Sequence, residues 1–371
     1  MAAENETQRI SRLTPVEEVL GRIEALVEPV EPCEVELDAA FSRVLVRDIS
    51  AGPLPARAVA LRDGWAVAAG LTADASSYAP ALLDAAIRID AGEPIPEWAD
   101  AVAPLDAVAT RDGSAEIFAP LAPGEGILPK AADCEPTRPL LRAGQTLTPI
   151  ELAVLTGAGI AKVPVRAPRI HVVRARPGHD TILDAATTLI NRLVAAAGAT
   201  PVEPLAGDFA TALNESSADA LIAIGGTGAG RNDASVRTLA AIGHVEVHGI
   251  ALSPGETAAF GSIGARPVLL IPGRLDAALA VWLTLGRHLI ARLTCGAPMR
   301  EGTTAVLGRK VASSLGMTEL VPVRCRDGQA EPLASGYWPL QAIAQTNGWV
   351  EVPAGSEGYP GGAEVVVRPW P

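Results

Sequence analysis

The stretch of this chain best equipped for chemistry is Gly225-Gly226-Thr227-Gly228-Ala229-Gly230, which directly follows the apolar run Ala220-Leu221-Ile222-Ala223-Ile224. Glycines strip the backbone of side chains, so its N–H groups can lie against an anion, and the start of the next helix adds further unpaired donors. That combination suits a phosphorylated ligand. The spacing fits neither the Walker loop nor the dinucleotide fingerprint, so no nucleotide class follows. A tight turn needing positive φ is the plainer alternative, yet four glycines in six residues exceed what a turn requires. Asp233 comes just after. It reads first as the N-cap of the following helix, and second as a carboxylate facing a phosphate, holding Mg²⁺ or orienting a water.

Two further turns, Ser253-Pro254-Gly255-Glu256 and Pro272-Gly273-Arg274, follow strand-like segments of the same region. In an open α/β sheet the carboxyl ends of strands converge on one crevice, which would bring both turns to the glycine run. Pro-Gly is equally a common turn dipeptide. Asp63-Gly64, inside Leu61-Arg62-Asp63-Gly64-Trp65-Ala66-Val67, reads as a hairpin or turn signal. The five histidines form no metal-binding helical pair, and His244 and His248 flank an alternating strand; structural or surface roles suit them. The four cysteines are scattered and imply neither a zinc site nor a disulfide framework, which fits a reducing cytoplasm.

Elements of several kinds must hold these residues. Thr14, Pro15 and Glu17 open a helix over 15–27 with a capping box, and a second helix is expected from Asp38, carrying Phe41, Val44 and Leu45. From Gly52 to about Pro139, proline and glycine recur between short apolar runs (86–89, 106–110, 116–119), the style of a small β domain. Thr148-Pro149-Ile150-Glu151 then starts a short helix ending at Gly157-Ala158-Gly159. Strands at 169–174, 220–224 and 267–271 alternate with helices at 181–197, 234–242 and 276–293, the pattern of a doubly wound, mostly parallel sheet. Beyond Gly302 the chain is strand-like with no good helix. The expected domains are therefore 1–52 with 139–168 (helical, extended linker), 53–138 (inserted β), 169–300 (α/β) and 301–371 (β).

Composition narrows the classes. The chain has 371 residues, 49% of them hydrophobic, a net charge of −12 and 4% aromatics, so nucleic acid is disfavoured as a partner. No apolar run is long enough for a bilayer, and residues 1–9 lack a signal-peptide block and read as a frayed tail. Three lysines stand against 27 arginines, so positive charge is supplied by arginine.

The order of motifs resembles the MoeA family, the molybdenum insertases related to the gephyrin E domain. The resemblance rests on Arg62-Asp63-Gly64-Trp65-Ala66-Val67 (family M-D-G-Y/F-A-V) and on Ile224-Gly225-Gly226 through Gly230 to Asp233 (S-G-G-V-S-x-G-x-x-D). Ser253-Pro254-Gly255-Glu256 through Ala259-Phe260-Gly261 (K-P-G-K-P-x-x-F-G) and Pro272-Gly273-Arg274 (P-G-N-P) complete it. It implies a MogA-like α/β domain that binds molybdopterin or its adenylylated form. It also implies insertion of molybdate with Mg²⁺ support, and a homodimer whose inserted domain completes the site. A molybdoenzyme or a MogA-type protein would be a further partner. On this resemblance Asp63 and Asp233 are the candidate catalytic residues, and Asp233 with Asp184 (family D-T-N) the candidate metal ligands. Gly225, Gly226, Thr227, Gly228, Gly230, Arg231, Ser253, Gly255, Pro272, Gly273 and Arg274 are the candidate pterin-phosphate contacts. Asp133 and Asp208 also match family carboxylates.

Several motif residues are replaced. The lysines of K-P-G-K-P are Ser253 and Glu256, the P-G-N-P asparagine is Arg274, and T-G-D-E gives way to Ala175-Arg176-Pro177-Gly178-His179. The family's G-E-D-I reads Ala131-Ala132-Asp133-Cys134, and M-T-G-A-P reads Asp90-Ala91-Gly92-Glu93-Pro94. A carboxylate at 256 disfavours a phosphate neighbour. Arg231 or Arg274 are the expected relocated charges. The resemblance thus implies a molybdopterin molybdenumtransferase, with a catalytically degenerate paralogue acting as carrier, scaffold or partner-binding protein as the second reading.

Overall fold

The computed structural model describes residues 8–111, 114–176, 178, 180–203, 209–297 and 302–371. Pro177, His179 and Asp208, singled out above, lie outside the described residues. The chain divides into two compact units. One holds residues 1–46, 144–152 and 162–371, and the other residues 47–143 and 153–161.

The larger unit is built on a six-stranded sheet ordered Thr200–Pro201, Arg169–Arg174, Ala220–Ile224, Arg266–Ile271, Ala259–Ile263, His244–His248. The first four run parallel, and the last two are added antiparallel. The central strands are near-continuous apolar runs because helices cover both faces; every residue of Ala220–Ile224 is buried. Asp180 caps Thr181–Ala196, accepting N–H bonds from Ile182 and Leu183 at 3.1 and 3.2 Å. Leu183, Ala186, Ile190 and Val194 then bury one face of that helix.

Register decides what meets at the strand ends. Arg174 pairs with Ile224, and Ile224 with Ile271. The next residues continue the ladder, Ala175 N–H donating to Ile224 O at 2.9 Å and Gly225 N–H to Ile271 O at 2.8 Å. The loops starting at 175, 225 and 272 therefore emerge side by side.

After Thr303 five strands close on themselves: Thr318–Arg326, Gln329–Pro332, Thr303–Leu307, Glu364–Pro369 and Gly348–Val352, the last pairing back to the first. Val321, Val323, Val350, Val352, Val365 and Val367 fill this barrel. A sixth, two-residue strand, Leu252–Ser253, joins its edge parallel to Thr318 and Glu319. One short helix, Leu340–Gln345, interrupts the expected all-strand pattern. The smaller unit has two three-stranded sheets, one centred on Gly64–Val67 between Ile87–Ile89 and Ala101–Pro104, the other on Ser114–Ile117 between Ala81–Leu83 and Val108–Arg111.

Several expected elements differ. The first helix is Val16–Leu26, capped by Pro15 without a side-chain bond, because Thr14 is taken into a β-bridge with Ile250. The helix expected from Asp38 is a single 3₁₀ turn, Leu37–Ala39, followed by the strand Val44–Leu45, which pairs with Lys162–Arg166. The capping box at Thr148 does form, with Glu151 accepting from Thr148 N–H at 2.9 Å. The long apolar helix is wound as a π-helix at Trp282–Gly286. There the absent side chain of Gly286 makes room for the buried Trp282 indole, which an added Cβ would meet at 2.5 Å.

Candidate functional site

A cavity of about 420 Å³ opens where the three loops meet. Its lining comes from four segments: Gly225 to Gly228 with Asp233; Pro272, Gly273 and Arg274; Arg176, Asp180, Ile182 and Leu183; and Thr257. All belong to the larger unit.

The glycine loop is held open by its own chemistry. Gly225 and Gly226 adopt φ of +91° and +71°, a conformation costly for residues with a Cβ. Asp233 then folds back: its Oδ2 accepts the Gly230 N–H at 2.9 Å and lies 2.8 Å from where a Cβ would stand on Gly228 or Gly230. Asp233 is thus a loop closure, not a helix cap. The helix Ser235–Ile242 has Ala234 at its N-cap position with no side-chain bond. Thr227 is buried, and its hydroxyl meets that of Thr257 at 2.9 Å. The Thr227 carbonyl accepts from His248 Nε2 at 3.0 Å.

The supposedly frayed N-terminus supplies another support. Gln8 is buried; its Nε2 donates to Gly226 O at 2.6 Å and Gly228 O at 2.7 Å, while its Oε1 accepts from Arg237 N–H at 3.3 Å. Nothing in local sequence marks Gln8, since its partners lie more than two hundred positions away.

The candidate residues separate into two groups. Gly225, Gly226, Thr227, Gly228, Asp233, Pro272, Gly273 and Arg274 line the cavity together. Gly230, Arg231, Ser253, Gly255 and Asp184 do not. Arg231 is exposed. Ser253 is drawn into the barrel-edge strand, paired with Glu319, and residues 253–256 stay out of the lining although Thr257, next in the chain, belongs to it. Glu256 turns its carboxylate back on the Gly255 N–H at 3.1 Å. Asp184 is ion-paired with Arg174 at 2.9 Å. Asp63 belongs to the smaller unit, where its Oδ1 accepts the Ala91 N–H at 2.8 Å.

Arg274 is present but engaged. Its guanidinium grips the buried Asp276 through both carboxylate oxygens, at 3.0 and 2.5 Å, and stacks over Tyr337 at 5.1 Å. Those hydrogen bonds to Asp276, with the nearby charges of Asp276 and Glu256, hold Arg274 above its ordinary pKa. Sequence reasoning passed over Arg176, Asp180 and Thr257 as contacts; only the folded chain, which brings all three into the cavity lining, shows that they face the glycine loop. Among the described residues no three His, Cys, Asp or Glu side chains gather as a metal site.

Comparison with known proteins supplies the family. Residues 14–159 match the MoeA N-terminal region (domain I and II), 154–292 the model described as "Probable molybdopterin binding domain", and 304–370 the MoeA C-terminal region (domain IV). The chain is 26% identical to molybdopterin molybdenumtransferase 2 of Mycobacterium tuberculosis over 88% of this chain and 92% of that one. It is 24% identical to the molybdopterin molybdenumtransferase of Bacillus subtilis, over 95% and 93%. A crystal structure of the molybdopterin biosynthesis MoeA protein from Pyrococcus horikoshii superposes with a TM-score of 0.73 at 25% identity, covering 96% of this chain and 99% of that one. With its three consecutive regions matched and the whole architecture shared, this chain belongs to the MoeA family of molybdenum-cofactor biosynthesis.

Proposed function

We propose that the cavity binds molybdopterin, or its adenylylated form, by the phosphate, and that the chain takes part in inserting molybdenum supplied as molybdate. The observation that carries this reading is the convergence of the loops after three parallel strands on a glycine-lined cavity with two arginines in its wall. Backbone N–H groups of Gly226 to Gly228 provide the phosphate cradle, which Gly230 and Asp233 keep open, while the Gly225 N–H stays in the sheet ladder. Pro272 and Gly273 form the facing wall. Oδ2 of Asp233 is occupied by Gly230, so its second oxygen is the one proposed to meet a substrate proton. The relatives named molybdopterin molybdenumtransferase support the reaction class.

The family resemblance further supports a homodimer in which Asp63 of one copy serves the other; light scattering should return twice the 38.1 kDa chain mass. Function is tested by expressing the chain in an insertase-deficient strain and titrating the purified protein with molybdopterin. Restored molybdoenzyme activity together with binding supports the insertase. Binding without restoration indicates the degenerate carrier. Absence of both removes the reading.

A further inference from the structure

Two charge inversions set this chain apart from the family pattern. The lysine-bearing loop reads Ser253 and Glu256 and is drawn to the barrel edge, while the acidic T-G-D-E segment gives way to one that contains Arg176. We propose that Arg176 holds the phosphate of the bound pterin, taking over the anion-gripping role of the replaced lysines. This rests on the pterin-phosphate reading of the pocket and adds the residue that selects for the phosphate.

Register fixes the placement. Arg169–Arg174 runs parallel to Ala220–Ile224 with Arg174 beside Ile224, and Ala175 still donates to Ile224 O. Arg176 therefore leaves the sheet alongside the first glycines of the loop. Its Cβ lies 3.6 Å from where a side chain on Gly225 would begin, and it lines the cavity.

The nearby cations are already committed. Arg174 is paired with Asp184 and donates to Gly178 O. Arg274 is held bidentately by Asp276 and stacked on Tyr337. Arg231 is exposed and outside the lining. Arg176 is half-buried in the wall, and among the described residues no carboxylate or carbonyl takes its guanidinium. The two acids in the same wall spend oxygens on backbone donors, Asp180 on Ile182 and Leu183 and Asp233 on Gly230. A planar guanidinium with free N–H groups beside a backbone cradle matches a phosphate monoester, which accepts its fork bidentately.

The test is anaerobic titration of the full-length protein, wild type and the variants R176Q, R176K and R274Q, with molybdopterin and with its dephosphorylated form. R176Q should weaken molybdopterin binding by about tenfold or more and leave the dephosphorylated pterin within about twofold. R176K should recover part of the loss, and R274Q should cost less than R176Q. Unchanged binding in R176Q overturns the proposal, and so do equal losses for the two pterins, which would mean that the arginine only shapes the cavity. A wild-type protein that binds neither pterin removes the function reading itself and this assignment with it.

Discussion

The acids and histidines of the larger unit are governed by what each already touches. Asp233 looks like a cap in sequence because it sits just ahead of a helix, but its carboxylate turns back three residues to Gly230. Capping and loop closure demand the same residue type at the same place, so pattern alone does not separate them. For the same reason the glycines, Pro272 and Arg274 were legible, whereas Arg176 was not: its role depends on which strand lies next to its own. Asp233→Ala should cost roughly 1 kcal/mol of stability from one lost N–H acceptor. Molybdopterin affinity should fall by about tenfold, as read by thermal melting beside a binding titration; equal melts and equal affinities would discard the loop-closure role. His171 tests burial by pH. It is fully buried with neither ring nitrogen partnered among the described residues, and burial, helped by Arg266, depresses its pKa below the ordinary 6.5. The folded protein then resists a proton that the unfolded chain accepts. Stability should be complete above that value and decline as pH falls through it toward the depressed one. Urea denaturation at pH 7.5 and 5.5 should show the decline in wild type and a smaller one in His171→Leu.

Among the elements, parallel strands were the most readable, since strands covered on both faces must be continuous apolar runs. The observed Arg169–Arg174 and Ala220–Ile224 coincide with the segments expected from sequence. Where expectation failed, a distant partner had intervened. Thr14 bonds Gly249 and Ala251 in place of its own helix, and Val44 and Leu45 join Val165 and Arg166 as a strand although their spacing suits a helix. Ser253 likewise pairs with Glu319 at the barrel edge, a partner that local sequence does not mark. At the loop itself, Gly226→Ala should introduce about 1 kcal/mol of strain at φ +71° and displace the carbonyl that Gln8 grips. Hydrogen exchange should quicken at residues 225–230 with the sheet unaffected. Exchange rates matching wild type would show that the loop tolerates a side chain there.

On the scale of the larger unit, the α/β body and the barrel are joined beside the pocket. Asp276 is 2% exposed and serves both, taking the Arg274 fork from one and the Trp338 backbone N–H, at 3.2 Å, from the other. Glu319, buried in the barrel, holds the turn just before Trp338, accepting from the Ser335 hydroxyl and the Gly336 N–H. Asp276→Ala should destabilise the fold by roughly 2 kcal/mol, since a buried acceptor is removed from two donors. Asp276→Asn should lose less, because it keeps an acceptor for Trp338; denaturant titration of the two variants decides. The Gln8 clasp has a consequence in time. Gln8 leaves the ribosome 218 residues before the Gly226 carbonyl it holds. At roughly 5–20 residues per second that interval is on the order of 10–40 s, during which the clasp has nothing to close on. The loop is therefore fastened only after the whole sheet that carries it has been made, and a chain lacking the Gln8 amide would finish with the same sheet and a loop whose Gly226 and Gly228 carbonyls have lost their shared donor.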